Sequence, residues 1–309
     1  MRVTLGINNC FAVKRWPSPD EWSAIVRDEL GLEVVQHCLD LTDLSGDVDI
    51  DAEAGAIGTA CADAGLRIHS VFTGLVAYSA NLMLASQDAE RTRGFELWSR
   101  AIMLAARLGA VSAGGHTGSL SRADADDAER RALRWSELRV RLAELSGFAS
   151  QVGLRALLVE NMACDREPSR IAEIESLLTH GDGGHAPVTL CLDVGHQCVP
   201  GTHGDDADPY AWLRCLGART TVVHLQQSDA EGDHHWPFTR AHNAVGRIRA
   251  DAVLDALAAS GAEEATLMLE VVPAFEAADG VVLSELRESV LYWREALSEH
   301  PATSGAGRP

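Results

Sequence analysis

Eight times along the chain, a short apolar run rich in β-branched residues is followed by a longer stretch with helical periodicity. The predicted strands are Val3–Asn8, Glu33–Leu39, Leu66–Phe72, Ala110–His116, Leu154–Glu160, Val188–Asp193, Thr221–Gln226 and Thr266–Val271. Between and after them, helices are predicted at Pro19–Leu30, Ile50–Ala64, Asp88–Leu108, Asp124–Gln151, Ser169–Leu178, Pro209–Leu216, Ala250–Ala259 and Gly280–Leu297. Strands joined by helical segments of this length pair in parallel, because a hairpin would need a connection of only a few residues. Eight such units in 309 residues predict an α/β fold, a closed (β/α)₈ TIM barrel in a single domain. The rival is an open doubly wound sheet, but NNCFAVKRW follows the first strand where that fold carries its glycine-rich dinucleotide turn.

Helix punctuation agrees with this division. Pro19-Asp20-Glu21 places proline and acids in a first turn, and Gly31, Gly65, Gly109, Gly153, Gly217 and Gly261 each precede a predicted strand. Those glycines are read as left-handed helix C-terminal caps. The polar end His300–Pro309 is expected to be a disordered tail, which leaves 1–299 as the catalytic domain.

Composition excludes some classes of function. No apolar run is long enough for a transmembrane helix, and MRVTLGINNC begins a strand at once, with no signal-peptide core. Apolar residues at 46% suffice for a large core. The net charge, 26 − 45 = −19, opposes non-specific binding to nucleic acid or anionic membranes and in any case aids solubility. Seven cysteines with no C-x-x-C pair make neither a disulfide framework nor a structural zinc site, so a reduced, cytoplasmic protein is expected.

In such barrels the chemistry sits at the C-terminal ends of the strands. Strand 5 ends LLVEN with Glu160, strand 6 ends LCLDVGH with Asp193 and His196, strand 7 ends VVHLQQSD with His224 and Gln226, and strand 8 ends LMLEV with Glu270. A charge directly after apolar strand residues is buried, and burial is unfavourable unless the charge is paired or bound to a metal. One such residue is an ordinary structural ion pair; four on consecutive strands, all directed to one mouth, point to a site. Three carboxylates and one imidazole suit Mn²⁺ first, with Mg²⁺, Co²⁺ or Zn²⁺ as alternatives. Such an ion polarises a carbonyl, and two glutamates on strands 5 and 8 can remove and return the neighbouring proton from different sides.

The motifs LVEN, LDVGH, VHLQQSD and LEV, in this order, resemble the sugar-phosphate isomerase/epimerase superfamily of xylose-isomerase-like barrels, which includes ketose 3-epimerases, inosose dehydratases and apurinic endonucleases. The resemblance implies metal ligands at Glu160, Asp193, His224 and Glu270, an acid/base pair in Glu160 and Glu270, and a substrate contact at His196. One departure is clear. Ketose 3-epimerases carry an arginine six residues after the strand-7 histidine, and here that position is Ala230. The apurinic endonucleases add further zinc ligands, whose order here is matched by His69, His116, Glu160, Asp193, His196, His224, Asp233, His235 and Glu270. A multi-metal site therefore stays open, while the charge argues against a DNA substrate.

Other polar residues near predicted strand ends are candidates for holding substrate. Lys14, with Arg15 and Trp16, follows strand 1; its plainer alternative is a solvated loop. Arg166 and Glu167 follow strand 5, where a turn before a helix would also explain them. His69 on strand 3, His116 after two glycines, His196, Gln226 and His235 complete the set, with His37 and Asp40 as weaker candidates. The expected function is a metal-dependent isomerase or epimerase acting on a small sugar or sugar phosphate. The alternatives are an inosose-like dehydratase and a zinc phosphodiesterase; homo-oligomerisation stays open.

Overall fold

In the computed structural model, which describes residues 1–303 apart from positions 45 and 47, eight parallel strands close into a barrel in the order β1 to β8. They are β1 (Arg2–Asn8), β2 (Val34–Cys38), β3 (Arg67–Phe72), β4 (Ser112–Gly115), β5 (Ala156–Glu160), β6 (Val188–Asp193), β7 (Thr220–Leu225) and β8 (Glu264–Leu269). β1 pairs with β8 from Arg2 to Ile7, but with β2 only at Ile7 and Asn8. The outer ring comprises α1 (Pro19–Ala24), α2 (Ile50–Ala64), α3 (Asp88–Arg107), α4 (Arg122–Ala125), α5 (Ala128–Gln151), α6 (Ile171–Glu175), α7 (Pro209–Leu216), α8 (Arg240–Val245), α9 (Ala250–Ala259) and α10 (Asp279–Glu299). Among the described residues no helix is long and apolar enough to cross a membrane.

The core has two parts. Trp22, Trp98, Trp212 and Trp293 are fully buried in the larger one, which lies between strands and helices. Inside the barrel, Val34, Phe72, Leu158, Cys191, Val222 and Met268 form a second cluster with Cys10 and Cys38. Side chains on a strand alternate faces, so a residue two positions further along points the same way. Leu158 therefore predicts an inward Glu160, Cys191 an inward Asp193, Val222 an inward His224 and Met268 an inward Glu270. Each polar group stands one layer above an apolar plug.

Several sequence expectations need correction. The helix expected at Asp124–Gln151 is broken, because Asp127 accepts from the backbone N–H groups of Glu129 and Arg130 and starts α5 afresh. The helix expected at Pro19–Leu30 is α-helical only to Ala24 and continues as a wider π turn through Glu29. Ser169–Leu178 forms a helix only at Ile171–Glu175, and α8, capped by Thr239, was not anticipated. Gly217 is right-handed (φ −55°) and not a left-handed cap; a Cβ there would lie 2.5 Å from Ser260 Oγ, so close packing explains the glycine. Of the expected tail, His300 meets Asp255 Oδ1 at 3.1 Å and Thr303 donates to Leu297 O at 2.6 Å, while 304–309 lie outside the described residues.

Gly114 in β4 shows how tightly the strands approach. Its φ is +144°, and a Cβ there would lie 2.0 Å from the Leu158 carbonyl oxygen. Gly114→Ala is expected to destabilise the fold by about 3 kcal/mol or more, since backbone must move. Gly153 has φ +89° with open space around it, so Gly153→Ala should cost only about 1 kcal/mol. Denaturant midpoints of the two variants check this; equal losses would mean that steric contact at Gly114 is not decisive.

Candidate active site

β5, β6, β7 and the residue after β8 bring Glu160, Asp193, His224 and Glu270 together at the C-terminal mouth, with one ligand atom from each within 4.8 Å of the others. All four are buried. His224 Nδ1 lies 3.2 Å from Glu160 Oε1 and 3.0 Å from Glu270 Oε2. Asp193 Oδ1 accepts from Gly195 N at 2.6 Å and from Gln226 Nε2 at 3.0 Å. Asp193 Oδ2 is buried with no hydrogen-bond partner, and Glu270 Oε2 has only the imidazoles of His224 and His235 near it. An orphaned, buried carboxylate oxygen is unfavourable without a cation, and this donor set fits a hard or borderline divalent metal.

The electrostatics follow from that crowding. Burial pushes Asp193 up to about 6, with Glu270 and Asp233 adding to the effect against His196 and His235. Burial opposes charge on His224, but Cys191, Glu270 and Glu160 outweigh it and hold its pKa well above the ordinary value. Burial would raise Glu270, yet the imidazoles of His224, His235 and His196 bring it down to about 2. In the metal-free protein, the His224 imidazolium therefore supplies the positive charge that the carboxylates need.

A second group adjoins the first through Asp193. His196 and His235 join Asp193 as another cluster with metal-ligand spacing. His196 Nδ1 donates to Asn161 O at 2.6 Å, and its Nε2 lies 3.3 Å from Asp233 Oδ2. His235 adopts φ +49°, donates its backbone N–H to Gln226 Oε1 at 2.6 Å, and places Nε2 3.2 Å from Asp233 Oδ1. On the other side, His116 Nε2 lies 3.6 Å from Glu167 Oε1, and its ring stacks on Tyr78 at 4.9 Å. The Tyr78 hydroxyl donates to Glu160 Oε2 at 3.4 Å. Thus His116, Glu167, His196, Gln226 and His235 all stand around the four convergent side chains.

Three of the expected substrate contacts are placed elsewhere. His69 lies deeper in the barrel, with Nε2 3.3 Å from Thr266 Oγ1, because β3 carries an extra residue opposite Val35 and Gln36 of β2. Lys14 is exposed at the rim, its Nζ 4.0 Å from the centre of the Phe275 ring. Arg166 donates to the Leu120 carbonyl and ties one loop to another. Sequence reasoning also missed residues that touch the site. Asn8 and Gln36 are fully buried, and Asn8 Nδ2 donates to Glu270 Oε1 at 3.1 Å. Their signal was available, since a polar side chain in the middle of an apolar strand must find partners.

The His235–Asp233 pair gives a direct check on this geometry. Burial alone would lower His235, and Asp233 raises it to about 9. A histidine raised above its unfolded value of about 6.5 stabilises the fold fully below that pH, and the contribution fades as pH rises through about 9. Asp233→Asn should therefore bring His235 down toward its ordinary range in an imidazole NMR titration. An unmoved His235 would show that another group holds its proton.

Comparisons with known proteins match these features. The sequence profile of the xylose isomerase-like TIM barrel matches residues 25–286. D-erythrulose 1-phosphate 3-epimerase of Brucella abortus (strain 2308) is 28% identical over 299 residues, which is 95% of this chain and 96% of that protein. A crystal structure from Rhodospirillum rubrum ATCC 11170, of a protein provisionally designated a xylose isomerase, superposes with TM-score 0.86 and 34% identity over 95% of this chain and 99% of that one. The structure of an L-ribulose 3-epimerase shares the fold at TM-score 0.68 and 20% identity, each chain fully covered.

Proposed function

The chain belongs to the xylose isomerase-like TIM-barrel family, and on that premise we propose that it epimerises a small ketose or ketose phosphate, using a divalent metal held by Glu160, Asp193, His224 and Glu270. The convergence of these four side chains, with Asp193 Oδ2 buried and unpartnered, carries the reading. The relative that acts on D-erythrulose 1-phosphate supports epimerisation over aldose–ketose isomerisation or dehydration. Mn²⁺ is the preferred ion, with Mg²⁺, Co²⁺ or Zn²⁺ as alternatives.

A cation at this position supplies the Lewis-acid charge that favours loss of a proton next to a carbonyl. Glu160 on β5 and Glu270 beyond β8 both reach His224 Nδ1, at 3.2 and 3.0 Å, so both carboxylates stand at the point where the reacting carbon would be held. One glutamate takes the proton as the C–H bond breaks, leaving the electron pair with the carbonyl. The other gives its proton to the opposite face. Each turnover leaves the two glutamates with exchanged protonation, which solvent protons reset. His116, Glu167, His196, Gln226 and His235 hold the sugar hydroxyls, and burial of the walls excludes competing water.

A second cation is the one alternative that a specific observation favours, because Asp193, His196 and His235 also converge. The phosphodiesterase reading loses its first ligand, since His69 faces Thr266 below the mouth. An abasic-site duplex incubated with protein and Zn²⁺ at physiological salt should stay intact; efficient strand cleavage would overturn the sugar reading.

Chelation should abolish activity and Mn²⁺ restore it, with the thermal midpoint rising as metal is added. His224 holds a proton at neutral pH in the metal-free protein, and Asp193 takes one below about pH 6. Cation binding therefore releases protons, and apparent affinity should fall as pH is lowered through about 6. Calorimetry at several pH values checks the direction; affinity independent of pH would count against these ligands.

Glu160→Gln and Glu270→Gln should each lower turnover by about 10²-fold or more, with metal content measured alongside. In D₂O the product should carry deuterium at the reacting carbon. Product without deuterium would point to a direct hydride shift, and a metal-loaded Glu270→Gln enzyme with near-normal turnover would remove Glu270 from the mechanism.

A further inference from the structure

We propose that Gln36, oriented by Asn8, is a positioning residue that keeps His224 protonated on Nε2 and leaves Nδ1 for the cation, thereby setting the metal affinity of the site. The inference rests on the metal reading above and deepens it. Asn8 and Gln36 are register partners on β1 and β2, and both are fully buried. The argument starts from a group whose role is not adjustable, the backbone N–H of Cys10. It donates to Asn8 Oδ1 at 2.9 Å, so the oxygen of that carboxamide is committed and its nitrogen points the other way. Asn8 Nδ2 then donates to Gln36 Oε1 at 2.8 Å and to Glu270 Oε1 at 3.1 Å. Gln36 must therefore present its oxygen, and its Nε2 is used on Ser70 Oγ at 3.0 Å.

His224 Nε2 makes its shorter hydrogen bond to that same Gln36 oxygen, and Cys191 Sγ lies 3.3 Å from the same nitrogen, where sulfur can share the proton as a weak acceptor. An amide oxygen only accepts, so the imidazole must donate, and a neutral imidazole has a single N–H to give. Once a cation displaces one proton from the imidazolium, Nδ1 is the nitrogen that would present its lone pair, at the place where Glu160 Oε1 lies 3.2 Å away and Glu270 Oε2 3.0 Å away. One backbone N–H thus selects, through two carboxamides, the nitrogen available to the metal. The same Asn8 nitrogen also holds Glu270 by Oε1 and leaves Oε2 to the His224 side. A glutamine performs this task without adding a fourth carboxylate to a buried site that already contains three.

Two measurements test the assignment. In the Zn²⁺-loaded wild type, long-range ¹H–¹⁵N NMR should find His224 protonated on Nε2; protonation on Nδ1 would overturn the proposal whether or not any variant folds. Gln36→Met keeps the length and removes the acceptor, and calorimetry should show Mn²⁺ affinity lowered about 10–100-fold, the usual effect of deleting the partner of a metal-ligating histidine. Gln36→Glu restores an acceptor and should recover most of that loss, which a merely space-filling role would not predict. Wild-type affinity in Gln36→Met would overturn the proposal while leaving the metal site intact. A wild type that takes up no Mn²⁺ would overturn the metal reading, and this assignment with it.

Discussion

Glu160, Asp193 and Glu270 are carboxylates removed from water and gathered within reach of one imidazole, and that arrangement governs how the mouth of the barrel is built. Like charges in a low-dielectric setting repel strongly, so something positive must stand among them. Among the described groups that charge is the His224 imidazolium, and the proposed cation would take its place. The apolar layer of Leu158, Cys191, Val222 and Met268 beneath makes the demand strict, because it closes the barrel to water from below. Around this point the other polar groups divide into those that hold a ligand and those that wait for substrate.

Much of this was legible in the sequence, and the reason is periodicity. Parallel strands buried on both faces read as unbroken apolar runs, so the first charged residue at each end marks the mouth. Glu160, Asp193, His224 and Glu270 follow from that alone, and strand ends were placed within two residues. His69 misled because an extra residue in β3 changes which face a side chain takes, and pairing register is invisible without the neighbouring strand. Lys14 and Arg166 misled for a different reason. A cation after a strand end has long reach, and whether it turns to the mouth, to the Phe275 ring or to the Leu120 carbonyl is decided by tertiary neighbours. Asn8 and Gln36 were legible as buried polar residues, but their partners lie on three other strands.

The loop after β7 is where this chain parts from the ketose 3-epimerases it resembles. Ala230 stands where they carry an arginine, and the segment around it is organised by aromatic stacking. His234 lies flat on Trp236 at 3.9 Å, and His242 also stacks on that ring at 5.2 Å. Trp236 also exchanges both backbone hydrogen bonds with Gln227, at 2.8 and 3.0 Å. Held at two points, the loop turns His235 through a left-handed backbone conformation and brings Asp233 beside His196. Asp233 thereby stands between the imidazoles of His196 and His235, at 3.3 and 3.2 Å.

The uneven seams of β1 have a consequence for how the molecule comes into being. Within the barrel that strand precedes the other seven in sequence, yet it joins β2 only at Ile7 and Asn8 and lies along β8 from Arg2 to Ile7. A nascent chain emerges from its N-terminal end, so β1 must wait, nearly unpaired, until β8 has been made. Asn8 meets Glu270 across 262 residues of sequence. Glu160, Asp193, His224 and Glu270 cannot all meet until β8 has joined the ring. Closure of the ring and completion of that cluster are one event, imposed by topology alone.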